Sequence, residues 1–307
     1  MDIFLQQIIN GLVLGSIYAL VALGYTMVYG ILGLINFAHG EIVMIGAMIS
    51  LAVIQAMTGF ALPGPVIVLM GLLIAIPACM LLGYGIERVA YRPLRHAPRL
   101  APLITAIGVS IVLQNIAMII WGRQYIAFPP LLPEDTYTIA GASITLLQIF
   151  IFLLATAIMA GLIFLVQKTR LGRTMRATAQ NPEVAGLMGV NVNNVISSTF
   201  IIGSALAAVA GLMVSAYYGL AHYYMGFLLG LKAFSAAVLG GIGNLGGAML
   251  GGLLLGVIES LGAGYIGPLT GGVLGSHYQD VFAFFVLILV LIFRPSGLLG
   301  ERVSERP

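Results

Sequence analysis

Long apolar runs, separated by short polar or basic stretches, set the pattern of this chain. Runs able to cross about 30 Å of hydrocarbon lie near residues 8–29, 36–57, 64–86, 101–121, 144–167, 196–218, 247–266 and 279–294. A ninth, about 231–243, is short and glycine-rich, and reads as a tilted crossing or as a re-entrant half-helix. No stretch alternates apolar and polar positions in the manner of a membrane barrel. The pattern predicts an all-α polytopic membrane protein with eight or nine transmembrane helices, some broken or re-entrant. Composition agrees. With 60% of 307 residues hydrophobic and 7% charged, too little polar surface exists to face water. The opening MDIFLQQ lacks the basic flank of a cleavable signal, so the first run is expected to remain as a span.

Basic residues orient these spans. Arg88, Arg92, Arg95 and Arg99 fill one loop, and Lys168, Arg170, Arg173 and Arg176 fill another. Arg294, Arg302 and Arg306 mark the C-terminus. By the positive-inside rule all three groups face the cytoplasm, which places the N-terminus outside. A cytoplasmic C-terminus then requires the 231–243 piece to cross fully. The segment 122–143, with Pro129, Pro130 and Pro133, reads as an extended extracytoplasmic loop. Nothing else is long enough to fold outside the membrane, so residues 1–307 are expected to form a single transmembrane domain.

The cytoplasmic loop 168–195 is the longest charged, non-spanning segment, and it holds a short helix. Asn181 can cap its free amides, Pro182 suits the first helical position, and Glu183 lies near the positive end of the dipole. Gly189 supplies the stop. Val184, Leu187 and Met188, at i, i+3 and i+4, make one apolar edge. A helix of about two turns is unstable alone and needs a surface. Two surfaces qualify: the protein's own membrane-facing end, or a groove on a separate soluble partner.

Small residues recur every four positions at Gly11, Gly15 and Ala19, along Thr199, Gly203, Ala207, Gly211 and Ser215, and at Ala248, Gly252 and Gly256. Such stripes let helices approach closely in lipid. The hexapeptide at Gly33–Ala38 is echoed at Gly230–Ser235, which would suit an inverted repeat, although chance similarity in apolar sequence accounts for it equally well.

Catalytic chemistry is not legible. Neither lysine, Lys168 or Lys232, stands in a phosphate-loop motif. Gly241-Ile242-Gly243-Asn244-Leu245-Gly246 spells a dinucleotide fingerprint but sits between apolar segments, where a glycine hinge or helix junction is the better reading. The remaining polar candidates are Asn36, His39 and Glu41 at the start of the second span, and Glu259 deep in a late one. Ionisable groups are costly in lipid and usually face a protein interior or an aqueous path. If helical, Asn36 and His39 share a face that Glu41 does not. Each can be a structural anchor or a path-lining group. They make a poor metal site, and no metal, bound cofactor or enzyme activity is expected of this chain.

At the cytoplasmic helix the sequence becomes recognisable. Glu183-Val184-Ala185-Gly186-Leu187-Met188-Gly189 is similar to the E-A-A-x-x-x-G loop of ABC importer permeases, with valine at the second position. With Asn10-Gly11-Leu12-Val13-Leu14-Gly15, Gly33 to Glu41 and Gln180-Asn181-Pro182-Glu183, the chain resembles the branched-chain amino acid ABC permease family over nearly its whole length. The resemblance implies a bacterial inner-membrane subunit of an importer for leucine, isoleucine and valine, or for urea, short amides or other amino acids. It implies four kinds of partner: lipid, a second homologous permease, two cytoplasmic ATPase subunits that bind ATP and Mg, and an extracytoplasmic amino-acid binding protein. Nucleic acid is not among them. Residues Asn181 to Gly189, Ala185 included, would form the coupling helix. The rival from another class is a stand-alone proton-coupled transporter using Glu41 and Glu259, and a passive channel is a third reading.

Overall fold

Apolar periodicity is realised as helix almost everywhere. The computed structural model describes residues 2–95, 97–98, 100–131, 135–139, 141–271, 275 and 278–300. Among the described residues there are eleven α-helices. They are α1 Asp2–Leu32, α2 His39–Met57, α3 Gly64–Ile86, α4 Leu100–Trp121, α5 Leu146–Lys168, α6 Arg170–Gln180, α7 Pro182–Leu187, α8 Val192–Tyr218, α9 Met225–Gly240, α10 Leu245–Leu269 and α11 Gln279–Phe293. Seven are long and apolar enough to cross a membrane, namely α1 to α5, α8 and α10. The apolar helices α9 and α11 have 16 and 15 residues and fall short of the bilayer's full hydrocarbon thickness. The protein is an all-α polytopic membrane protein, and every predicted apolar run is a helix. Arg99, Pro133, Arg302 and Arg306 lie outside the described residues.

Three local features differ from the expectation. The segment 122–143 is not simply extended: β2 Thr136–Ile139 pairs antiparallel with β3 Ala142–Thr145, and β1 Ile126–Ala127 pairs with β4 Leu220–Ala221. Prolines at 129 and 130 masked those short strands. The ninth piece begins earlier than expected, at Met225, and ends where Gly241 and Gly243 take φ of 105° and 98°. The G-x-G-x-x-G motif is therefore the junction between α9 and α10, with the Asn244 carboxamide capping α10 by accepting from Gly247 N–H at 3.0 Å. Finally, the echoing hexapeptides fold differently. Gly33–Ala38 is the linker before α2, while Gly230–Ser235 lies within α9.

The chain divides into two compact units interleaved in sequence. One comprises residues 27–133 and 160–231. Its core is the mutual packing of α2, α3 and α8. All five residues of the Thr199, Gly203, Ala207, Gly211, Ser215 stripe are buried, and Gly211 lies against the backbone of Val43 and Ala47 in α2. Ile54, Ile67, Val68 and Leu212 close one end of this core.

The other unit comprises residues 1–26, 134–159 and 232–307. Here the two remaining stripes meet each other. Gly11 and Gly15 of α1 lie against Val257 and Leu253 of α10, and Gly252 and Gly256 lie against Ala19 and Gly15. The Gln6 side chain clasps the hairpin, donating to Ser143 O at 2.9 Å and accepting from Ser143 N–H at 2.7 Å. Beyond α11 the chain returns over the end of α9, with Leu298 and Leu299 N–H donating to Leu239 O and Gly240 O, both at 2.9 Å.

A methyl group on Gly252 would come within 2.5 Å of the Ala19 Cα, whereas one on Gly85 meets nothing within 4 Å. Gly252→Val is therefore expected to cost about 1–3 kcal/mol of stability from overpacking. Gly85→Ala should be tolerated. Thermal unfolding of the two purified variants in detergent checks the contrast.

Candidate functional site: an exposed short helix and three buried polar networks

Residues 181–189 form the helix that the local signals predict. The Asn181 carboxamide accepts from the Glu183 and Val184 amides, both at 3.0 Å, and Pro182 opens α7. At the other end Gly189 takes φ 85°. Its N–H donates to Gly186 O, and Val190 N–H donates to Ala185 O, each at 3.0 Å. These paired bonds are the Schellman arrangement and satisfy the last carbonyls. Both ends of a six-residue helix are thus closed. Among the described residues, no surface covers its apolar edge. Ala185 is buried, but Val184, Leu187 and Met188 are 52%, 88% and 81% exposed. Both surfaces that the sequence left open, the membrane-facing end and a groove on a partner, would cover such an edge.

The segment before α7 holds a helix that sequence reading did not single out. In α6 the Thr169 hydroxyl accepts from Gly172 N–H at 3.1 Å, Met175 and Thr178 turn inward, and Arg170, Arg173 and Arg176 are exposed. The three arginines stand three positions apart, one turn from the next.

Asn36, His39 and Glu41 do not form one site. Asn36 is buried but lies in the turn before α2, so the helical face shared with His39 does not exist. Its side-chain oxygen accepts from Ala38 N–H at 3.1 Å and from the Tyr91 hydroxyl at 2.9 Å. His39 begins α2 and is buried. Glu41, 1% exposed, accepts through Oε1 from Gln114 at 2.7 Å and from Ser110 at 3.1 Å, both on α4. Glu41 therefore tethers α2 to α4, whatever else it does.

Glu259, also 1% exposed, belongs to a second network. Tyr18 of α1 donates to Oε2 at 3.0 Å, and Lys232 of α9 pairs with Oε1 at 2.8 Å. The same ammonium reaches Asp280 of α11 at 2.7 Å and lies 5.8 Å from the Tyr18 ring centroid. One cation thus serves two carboxylates and joins four helices. A lone lysine amid apolar residues is the signal that could have found this network, because such a group needs a counter-ion.

A third network was missed altogether. Beyond α3 the backbone widens into a π-helical turn, Glu87–Tyr91, then tightens into a 3-10 turn, Arg92–Leu94. Glu87, 0% exposed, pairs with Arg95 and accepts from the Ser197 hydroxyl at 2.6 Å. Arg95 also donates to Asn193 Oδ1. Burial pulls the Arg95 guanidinium below its ordinary pKa, an effect that the Glu87 carboxylate beside it partly opposes.

Comparison with known proteins settles what these helices belong to. The family model described as branched-chain amino acid transport system / permease component matches residues 7–291. The chain belongs to that family. The permease is 49% identical, over 99% of its length and 98% of the relative's, to the high-affinity branched-chain amino acid transport system permease protein BraD of Pseudomonas aeruginosa. It is 45% identical to the corresponding Escherichia coli protein, LivH, over 99% and 97% of the two chains. A probable branched-chain amino acid transport permease protein of Methanocaldococcus jannaschii matches at 27% over 97% and 94%. No solved structure matches. The permease is a multi-pass membrane protein of branched-chain amino acid transport type.

Removing Lys232 would leave Glu259 buried without its cation. Lys232→Met is expected to destabilise the permease by about 3 kcal/mol, and Lys232→Met with Glu259→Gln by clearly less, since a neutral pair avoids the unpaired buried charge. Unfolding of both variants in detergent, compared with the parent, measures the difference.

Proposed function

We propose that this chain is the transmembrane permease subunit of an ATP-driven importer for leucine, isoleucine and valine, in a bacterial inner membrane. The single observation that carries the ATP-driven part is the apolar edge Val184, Leu187, Met188. It is exposed on a helix capped at both ends, next to the basic face of α6. Three large apolar side chains held rigidly away from the chain's own core make a helix-in-groove ligand. An ATPase subunit supplies the groove, and α7 is the coupling helix seated in it. The substrate class follows the names of the full-length relatives. Urea, short amides and other amino acids are the alternatives that an uptake panel separates.

In this reading residues 1–307 act as one permease domain with the basic loops and the C-terminus cytoplasmic and the N-terminus outside. The return of Leu298 and Leu299 to the end of α9 puts the C-terminal segment beside the 240–244 turn, so the two share a side, as crossings by both α10 and α11 require. The partners are a second homologous permease, two ATPase subunits carrying ATP and Mg, and an extracytoplasmic binding protein. Nucleotide hydrolysis takes place on those subunits, and this chain is not catalytic. Closure of the ATPases moves α7 and with it the spans, and recognition rests chiefly with the external binding protein. Proton coupling by Glu41 and Glu259 gains no support from their surroundings, where each carboxylate is engaged by neighbouring helices.

Leu187→Asp, which puts an unpaired charge at the centre of the docked apolar edge, and Glu183→Lys, which reverses the charge at the positive end of the α7 dipole, should leave the permease inserted in the membrane but lower ATPase co-purification by about tenfold or more. Retention of the ATPases at the parental level by both variants would overturn the coupling assignment.

A further inference from the structure

A motor that pulls on α7 must move helices to which α7 is not itself attached, and the third network shows where the attachment lies. From α7 the chain passes through Val190 into Asn191, whose carboxamide caps α8 by accepting from Asn194 N–H at 3.1 Å. The first turns of α8 then present Asn193, Ser197 and Phe200. All three engage the segment that follows α3. Asn193 binds Arg95, Ser197 binds Glu87, and the Phe200 ring packs on Tyr91 with centroids 5.3 Å apart. From there a directional contact leads on beside the packing of α2, α3 and α8, since the Tyr91 hydroxyl donates to Asn36 Oδ1 at 2.9 Å. That same oxygen holds the turn entering α2 through Ala38 N–H. Every residue in this sequence of contacts belongs to the unit built from residues 27–133 and 160–231.

Two physical features make this more than adjacency. The segment receiving the contacts is π-helical over Glu87–Tyr91, bounded by α-helix before it and a 3-10 turn after it. A π turn carries one more residue per hydrogen-bonded ring than an α turn, so it can relax toward α geometry without chain breakage, and such turns concentrate at functional sites. The contacts are also polar and directional, with the Glu87 carboxylate completely buried. Buried ionic hydrogen bonds resist separation more than apolar contacts resist sliding, so displacement of α8 drags its partners with it.

We infer that the π-helical turn Glu87–Tyr91, clamped by Arg95, Asn193 and Ser197 and tied to Asn36 through Tyr91, is the relay by which movement of α7 reaches α2 and α3. The relay rests on the reading that α7 docks an ATPase. Glu87, Arg95 and Tyr91 are positioning residues, each acting by holding one segment to another. Asn36, read from sequence as anchor or path-lining group, becomes the terminal post of the relay.

The test uses the permease reconstituted in proteoliposomes with its ATPase subunits, second permease and binding protein, and labelled leucine as probe. Three quantities are read: ATPase co-purification, ATP hydrolysed, and leucine carried per ATP. Glu87→Gln and Tyr91→Phe should keep the ATPases bound and hydrolysing while leucine carried per ATP falls by about tenfold, the size of a typical coupling between distant sites. Exchanging the pair, Glu87→Arg with Arg95→Glu, should return that ratio to within about threefold of the parent. Should Glu87→Gln fail to reach the membrane, Tyr91→Phe, which deletes one hydroxyl, decides alone. An unchanged ratio in Tyr91→Phe with bound, active ATPases overturns the relay and leaves the docking role of α7 standing. Full ATPase binding by both Leu187→Asp and Glu183→Lys overturns the docking role itself, and the relay with it.

Discussion

Helices that lie in hydrocarbon gain little from hiding apolar side chains, because lipid is as apolar as leucine. Close backbone approach, with the van der Waals contact it brings, is what remains to hold them together. In this permease that constraint governs each unit. Gly11, Gly15 and Ala19 meet Gly252 and Gly256 with no side chain between the backbones, and Gly211 lies on Val43 and Ala47 in the same way. Larger residues at these positions would force the helices apart and forfeit contacts that nothing else replaces. The backbone's own polar groups are meanwhile satisfied inside the helices, as a membrane requires.

Against that tightly packed, apolar background, the buried carboxylates Glu41, Glu87 and Glu259 are each held by side chains from other segments. Glu41 is held by two neutral donors of α4, Glu259 by a lysine and a tyrosine, and Glu87 by an arginine and a serine. Each network ties together helices distant in sequence. The stripes bring helices into contact without fixing their register, since one glycine resembles the next. Directional hydrogen bonds to a buried carboxylate tolerate no such slippage. Packing and polar bonding therefore divide the labour between proximity and alignment.

The α7 helix inverts both rules. Its polar groups are satisfied at both caps while its large apolar side chains remain uncovered. An uncovered apolar edge of this kind is what the proposed docking to another subunit would cover. In the coupling role proposed for it, a rigid, capped projection would transmit displacement better than a frayed one, and the polar contacts at the start of α8 would give that displacement a route inward.

Much of this was legible in one dimension. Span positions follow from apolar run length alone, because hydrocarbon thickness fixes how many residues a crossing needs. The caps of α7 follow from Asn181, Pro182 and Gly189, because capping is local chemistry set by neighbours in the chain. The small-residue stripes were equally visible, although not which stripe would face which. Partnership is what tertiary structure alone decided. Nothing at Glu87 announced Ser197, 110 positions away, and nothing at Glu259 announced Tyr18. Lone charges within apolar runs declare that a counter-group must exist, but the identity of that group depends on which helices become neighbours. The helical placement of Asn36 failed for a related reason: its side chain spends its bonding on Ala38 N–H and on Tyr91, and a residue so engaged forms a turn before the helix instead of entering it.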